Sequence, residues 1–174
     1  MVEVLHLAAV LPATVGLCCA VGDRPGRARS VVPAAAMLAA MLAMAVGFTA
    51  VPPLVWAVLL VALGILAAAG LRRGSDAATP VHARRMQLHR ALGLVLGAAL
   101  LLAGGHSVGA PSGHPEHGGG VLLTATLAGA VGYLAFTAWL VARSLRRRAP
   151  IVGVVESSAM GLMTALMALA PLTG

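Results

Sequence analysis

The chain has 174 residues, of which 60% are hydrophobic and 10% are charged, and its mean hydropathy is +0.96. Soluble domains contain roughly 45–50% apolar and 25% charged residues, so this composition excludes an ordinary soluble domain and favours a chain whose outer surface meets lipid. The formal net charge is +7. Because the basic residues neither follow one helical stripe nor alternate with aromatic residues, we expect no nucleic acid partner.

Six apolar runs each approach the roughly 20 residues that a helix needs to cross about 30 Å of hydrocarbon. They cover residues 4–21, 31–51, 53–71, 91–108, 121–142 and 151–172. The runs show no period-two alternation and are rich in alanine and leucine, which favours helices over barrel strands. The sequence therefore predicts one all-α domain over residues 1–174, a polytopic membrane bundle of six transmembrane helices.

All twelve basic residues are arginines, a usage typical of a GC-rich bacterium. They fall in the three segments that follow the first, third and fifth runs. Since basic residues near the ends of spans resist translocation, these segments are predicted to be cytoplasmic and both termini to be extracytoplasmic. We therefore expect a multipass protein of the bacterial cytoplasmic membrane whose arginine-rich loops contact anionic lipid headgroups.

The first two runs each carry an unusual feature. Glu3 stands where a signal peptide has basic residues, so the first run is expected to remain as a span, and Pro12 is expected to kink it. In the second run, Met37, Met41 and Met44 recur at helical spacing. These three methionines are therefore predicted to share one face of a helix.

Two prolines predict a tight turn between the second and third runs, at residues 51–53. Farther along the chain, small residues recur at four-residue spacing in the last three runs. Such spacing lets helix backbones approach closely inside a membrane. We expect these residues to pack the bundle internally, and homodimerisation is the alternative. The sets are Gly93 with Gly97, Ala125 with Gly129, Ala128 with Gly132, and Gly153 with Ser157 and Gly161.

Four histidines are predicted on the extracytoplasmic side. His106 closes the fourth run, the glycine-rich loop after it contains His114 and His117, and His6 lies near the outer end of the first run. Imidazoles bind Zn(II), Cu(II) or Ni(II), but no closed four-ligand spacing is present, so a solvated loop is the simpler interpretation. His89 and His106 also look like the axial histidines of bacterial membrane cytochromes, which makes a haem-b protein a weaker alternative.

The sixth run carries an acid at membrane depth, followed by methionines on the same face. A carboxylate inside a membrane is costly unless it is paired, hydrated or neutral. Either an arginine at the inner end of the fifth run, Arg143 or Arg146, pairs with this acid, or the acid is unpaired and takes up a proton. The residues on this face are Glu156, Met160, Met163 and Met167.

Thioether sulfur suits Cu(I), so the two methionine faces predict a site or a path for a soft cation such as copper, with Glu156 compensating its charge. The alternative is that methionine, a flexible side chain, fills an irregular helix interface. No nucleophile with a base, phosphate-binding loop or zinc-protease motif occurs in the sequence. We therefore expect no enzyme activity.

Two methionine-rich segments, residues 34–44 and 156–163, read AAAMLAAMLAM and ESSAMGLM. They resemble the transmembrane helices of an actinobacterial integral membrane family grouped as domain of unknown function 5134. The resemblance implies a membrane fold over nearly the whole chain and no established activity. Members of that family often place histidines beside these methionines, whereas this chain has alanine and serine there.

Two functional hypotheses of different classes follow from these patterns. The first is a membrane protein that binds or passes a transition metal such as copper, with the outer histidines capturing the ion and the methionine faces carrying it. The second is a non-catalytic accessory or structural subunit, acting as a homo-oligomer or in a larger membrane complex.

Overall fold

The computed structural model describes residues 2–22, 27–47, 50–73, 81–105 and 117–172. Over these ranges the chain forms six α-helices and one short 3₁₀ turn, and each helix overlaps one of the six apolar runs. The prediction of an all-α fold is therefore confirmed. The helices are α1 (Val2–Gly22), α2 (Arg27–Ala45), α3 (Pro53–Arg73), α4 (Val81–Gly105), α5 (His117–Arg146) and α6 (Ile151–Leu169), and the 3₁₀ turn covers Ala170–Leu172.

The connection between α2 and α3 is longer than predicted. α2 ends at Ala45 rather than at residue 51, because Gly47 adopts a left-handed conformation with φ of 65° that stops the helix. α3 begins at Pro53, where the missing N–H has no intrahelical partner to lose. α2 is therefore shorter than the apolar run that predicts it.

The fourth helix begins earlier than predicted. α4 starts at Val81 rather than at residue 91, because no glycine or proline interrupts residues 81–92. His89 and Arg90, which the apolar run places in a cytoplasmic loop, therefore lie inside the helix.

Within the described residues, four helices are long and apolar enough to cross a membrane, fewer than the six predicted. They contribute the segments Pro53–Gly70, Ala83–Ala103, Gly120–Arg146 and Ile151–Leu169. α1 and α2 have shorter apolar segments, Leu7–Gly22 and Val31–Ala45. At 1.5 Å per residue these segments extend about 24 and 22 Å, less than the roughly 30 Å of a bilayer's hydrocarbon core.

The six helices pack in a closed ring, and α4 also makes contacts across it. Each helix packs against its neighbours in the chain, and α1 also packs against α6. α4 contacts four others, α2, α3, α5 and α6. Half of the apolar segment of α4 is buried, whereas only 17% of the apolar segment of α3 is buried. α4 is therefore the element that joins side chains from helices that are not adjacent.

Methionines of both predicted faces lie in the core of the ring. Met37 and Met41 of α2 belong to the same buried cluster as Met163 and Met167 of α6. Large aliphatic side chains of α3, such as Leu54, Val58 and Leu66, are instead exposed. An outer surface of this kind is what contact with lipid requires, since the solvent there is as apolar as the side chains.

The small residues divide into two groups. The two predicted glycines of α4 and Gly161 of α6 are buried against side chains, whereas Gly129 and Gly132 of α5 are exposed. A Cβ at Gly132 would meet no atom within 4 Å. The expectation of internal packing is therefore wrong for Gly132, whereas a Cβ at Gly129 would lie 3.5 Å from Leu96 of α4. The buried face of α5 is formed by larger residues that include Tyr133 and Thr137.

Candidate functional site

A cavity of about 40 Å³ lies inside the ring between α1, α2, α4 and α6. Three methionines from the two predicted faces line it, Met37 of α2 and Met160 and Met163 of α6. The volume holds a guest of about the size of one water molecule. The remaining wall consists of Pro12, Ala13 and Gly16 of α1, Pro33 and Ala34 of α2, Arg90 and Leu94 of α4, and Glu156 of α6.

The charged part of the wall is a bidentate ion pair between α4 and α6. Arg90 donates from Nε to Glu156 Oε1 at 2.6 Å and from Nη2 to Oε2 at 2.8 Å. The Glu156 side chain is 7% exposed and the Arg90 side chain 20% exposed. Because charge-assisted pairs of this geometry are among the strongest hydrogen bonds in proteins, the pair ties the two helices together.

The predicted partners of Glu156 are wrong. Glu156 neither pairs with Arg143 or Arg146 nor stands unpaired, because the early start of α4 carries Arg90 to its depth. Arg143 instead lies over the ring of Trp139, with 5.4 Å from its Cζ to the ring centroid. Arg146 is exposed.

Two glycines of α4 make room for the methionines. A Cβ at Gly97 would overlap the terminal methyl group of Met37. A Cβ at Gly93 would lie 3.0 Å from the methyl group of Met160 and 2.7 Å from the hydroxyl of Tyr133. Within the described residues the backbones of α2 and α6 do not approach each other closely, whereas α4 contacts both helices. We infer that α4 brings the two methionine faces to one cavity.

Next to Arg90, His89 is the centre of a second buried polar cluster. His89 is fully buried, and its Nε2 lies 2.8 Å from Thr137 Oγ1. Because Thr137 donates its hydroxyl to the carbonyl oxygen of Tyr133 at 2.9 Å, we assign the proton to His89 Nε2, which donates to Thr137. The Tyr133 ring stacks on the imidazole at 4.7 Å, and its hydroxyl lies 3.5 Å from Nδ1.

The Thr137→Val substitution is expected to destabilise the protein by about 1–3 kcal/mol, because the buried imidazole N–H loses its acceptor while the side-chain volume is kept. Thermal unfolding in detergent measures the change. Thr124→Val is the matched control, since the hydroxyl of the exposed Thr124 donates to the Gly120 carbonyl oxygen of its own helix. Equal effects of the two substitutions would contradict this role of Thr137.

The surroundings of His89 do not fit a haem. Its Nε2 is bound to Thr137, and the rings of Tyr133 and Phe136 lie against the imidazole, Phe136 at 5.9 Å between centroids. An axial histidine needs a ring nitrogen that faces the iron. No observation at this position therefore favours the haem alternative.

The other predicted site residues lie away from the cavity or outside the described part of the chain. Met41, Met44 and Met167 pack in the surrounding core without lining the cavity. No group of three or more His, Cys, Asp or Glu that could hold a metal occurs among the described residues. The side chains of the outer histidines are not among those described, so the outer capture site stays a prediction; they are His6, His106, His114 and His117.

Two buried polar pairs were not predicted from the sequence, Arg90 with Glu156 and His89 with Thr137. Residues 81–92 contain no helix breaker between Pro80 and Gly93, a signal that could have placed Arg90 inside a helix. Nothing comparable in the sequence pairs His89 with Thr137, because the two residues belong to different helices and the contact depends on how these pack.

Comparison of the chain with models of protein families, with curated proteins and with solved structures gives no significant match. The resemblance to domain of unknown function 5134 and the actinobacterial origin therefore stay predictions.

Proposed function

We propose that the protein is a six-span protein of the bacterial cytoplasmic membrane with both termini extracytoplasmic. The support is that α1 and α2, although their apolar segments are short, are packed into the same ring as the four longer helices. A Pro-containing helix of this length can be accommodated by local thinning of the bilayer. The arginines after the first, third and fifth runs give the orientation.

Within this setting, we propose that the cavity binds a soft monovalent metal cation, for which Cu(I) is the best candidate. The observation that carries the proposal is that Met37, Met160 and Met163, from two helices whose described backbones do not approach each other closely, line one small cavity. Thioether ligands select Cu(I) over harder ions. The cavity thus unites the ligand type and the size that a single Cu(I) ion needs.

The charge of the site favours a monovalent ion. Glu156 is neutralised by Arg90 in a bidentate pair, so an incoming cation meets thioethers and an ion pair of zero net charge. A divalent ion would keep a larger uncompensated charge in a low-dielectric site, which raises its desolvation penalty. Zn(II) is disfavoured by this desolvation penalty and also because it prefers imidazole, thiolate and carboxylate ligands.

Methionines also continue from the cavity toward the predicted outer side. Met41 and Met44 follow Met37 along α2, and Met167 follows Met163 along α6, all within one packed cluster. Under the proposed orientation these thioethers lead from the extracytoplasmic end to the cavity. We propose that they form the entry path, with the outer histidines as the capture site.

The proposal is tested by substituting the three lining methionines with leucine, a change that keeps the volume and removes the sulfur. Purified protein loaded with Cu(I) under reducing conditions, in competition with a chromogenic Cu(I) chelator, is expected to hold about one ion per chain. The variant M37L/M160L/M163L is expected to hold less than a tenth of that amount.

The matched control is M41L/M44L/M167L, which removes the same number of thioethers from the same two helices outside the cavity lining. It is expected to retain the wild-type amount of Cu(I) at equilibrium. Equal loss of copper in both variants would show that the cavity is not the site, and absence of copper from the wild-type protein would overturn the proposal.

The accessory-subunit hypothesis is a second candidate, which the exposed small-residue face of α5 favours, since such faces let another helix approach closely. Purification in mild detergent tests it. Stoichiometric co-purification of another membrane protein would support this hypothesis, whereas a solitary monomer would count against it.

A further inference from the structure

The inner end of the seam between α4 and α5 carries two arginines on one aromatic ring. Arg85 of α4 and Arg143 of α5 place their Cζ atoms 5.1 and 5.4 Å from the centroid of Trp139. Trp139 is 45% exposed and stacks on Phe136. An exposed tryptophan between two arginines at the end of a spanning segment is the arrangement found at the level of lipid headgroups.

This cluster has an excess of positive charge. Arg143 is repelled electrostatically by both Arg147 and Arg85. Its Nε makes no hydrogen bond with any residue that the structure describes. Among the described side chains the single acid is Glu156, which Arg90 already binds. Among the residues that the structure describes, the cluster therefore lacks an anion that accepts hydrogen bonds from its guanidinium groups.

An open groove of about 400 Å³ lies along the same seam, and apolar and small residues of α4 and α5 line it. On α4, Leu92 and Ala99 of the groove follow Arg85 at intervals of two helical turns. On α5, Ala125 and Gly132 of the groove precede Trp139 at the same interval. The groove and the arginine cluster are consequently on one side of the bundle, in register with each other.

The length of this surface suits one leaflet of a bilayer. From Arg85 to Ala99 the helix rises about 21 Å, which exceeds the roughly 15 Å that one leaflet contributes to the hydrocarbon core. If Arg85 and Arg143 hold the headgroup, the surface is therefore long enough for an acyl chain to lie along it through the whole leaflet.

We infer that the seam between α4 and α5 is a binding site for an anionic phospholipid, with the phosphate at Arg85 and Arg143 and one acyl chain in the groove. The charge complementarity of the cluster selects this occupant over a second copy of the chain, whose helix would bring the same cationic end to the same place. The site is independent of the proposed metal cavity, which lies between other helices.

Trp139 provides a local readout of this site. Trp56→Phe leaves Trp139 as the single tryptophan and removes an indole N–H that has no hydrogen-bond partner among the described residues. In detergent, phosphatidylglycerol brominated on its acyl chains is expected to quench the fluorescence of Trp139. The concentration required is expected to be at least tenfold lower than that of brominated phosphatidylcholine. Inorganic phosphate at millimolar concentration is expected not to displace the lipid.

Two variants in the same background separate the headgroup contact from the groove. R85Q/R143Q is expected to lower the affinity for phosphatidylglycerol by about 25-fold, since each arginine near an anionic headgroup raises the affinity roughly fivefold. Gly132→Leu fills the groove, where a Cβ meets nothing within 4 Å, and is expected to weaken the binding of both lipids at unchanged charge. The controls are R146Q/R148Q, which removes two exposed arginines, and Ala128→Leu on the exposed surface outside the groove.

Equal quenching by the two lipids, or an equal loss of affinity for phosphatidylglycerol in R85Q/R143Q and R146Q/R148Q, would show that the cluster acts only as diffuse surface charge. Either result would overturn the inference. Displacement by inorganic phosphate would show a site for the free anion rather than for a lipid. Dimers that Gly132→Leu abolishes and phosphatidylglycerol does not displace would assign the groove to a second copy of the chain.

Discussion

Replacing Glu156 by glutamine is expected to lower the free energy of unfolding by about 3 kcal/mol and to leave much of the protein unable to fold stably in detergent. The substitution keeps the side-chain shape and removes the charge that binds Arg90. The guanidinium then stays in the interior without a counter-ion, and breaking a buried pair on one side costs roughly 3–5 kcal/mol. The lower end applies because the Arg90 side chain is 20% exposed and a long arginine stem can turn toward water.

The double variant R90Q/E156Q is the decisive companion. It removes both charges and leaves two amides that can bond to each other, so it is expected to recover most of the stability that Glu156→Gln loses. Arg146→Gln, at an exposed arginine without a described salt bridge, controls for lost positive charge. Thermal unfolding of all four proteins measures the effect, and a double variant no more stable than Glu156→Gln would contradict the pairing as the cause.

The double variant also separates stability from metal binding. Because the three lining methionines are unchanged and the site is neutral with or without the ion pair, R90Q/E156Q is expected to bind Cu(I) with an affinity close to that of the wild-type protein. Loss of copper in a folded double variant would mean that the carboxylate itself contributes to the site, as the charge compensation predicted for Glu156 requires.

The fold was predictable from the sequence where a local property decides it. Apolar runs near 20 residues predicted every helix, since hydrocarbon burial and helix length are coupled by the thickness of the bilayer. The helix ends were less predictable, because an apolar run stops at the first arginine whereas a helix stops at a breaker. α4 shows the difference, since it contains Arg84, Arg85 and Arg90 ahead of the predicted apolar run at residues 91–108.

The candidate site was predictable only in part. Helical spacing alone placed Met37 and Met41 on one face, and Met160, Met163 and Met167 on another. That the two faces meet depends on the closure of the ring by α1 and α6 and on the position of α4 between α2 and α6. The partner of Glu156 likewise lies on another helix, 66 positions away in the chain, and no local pattern identifies it.

The glycines of α4 show how one sequence signal can have a different physical meaning from the expected one. The spacing of Gly93 and Gly97 predicted the close approach of a helix backbone. In the structure, the space above each glycine is occupied by a methionine side chain from a different helix. The pair thus determines where the thioethers of α2 and α6 lie, and a methyl group at either position tests this directly.

Gly97→Ala is expected to leave the stability nearly unchanged and to weaken Cu(I) binding by at least tenfold. The added Cβ would overlap the methyl group of Met37 and lie 3.1 Å from its sulfur, so the flexible end of Met37 must move out of its place beside the cavity. Its displacement costs little, because methionine has several rotamers and alanine in a helix is favoured over glycine by about 1 kcal/mol.

Gly93→Ala is expected to behave differently, because its Cβ meets the Tyr133 hydroxyl at 2.7 Å. Tyr133 is a rigid ring stacked on buried His89, so it cannot turn aside as a methionine does, and overpacking of this kind costs about 1–3 kcal/mol. Chelator competition and thermal unfolding, measured on both variants, distinguish the two effects. Wild-type copper affinity in a stable Gly97→Ala protein would show that Met37 is packing and not a ligand, because the position of its sulfur would then be irrelevant to the metal.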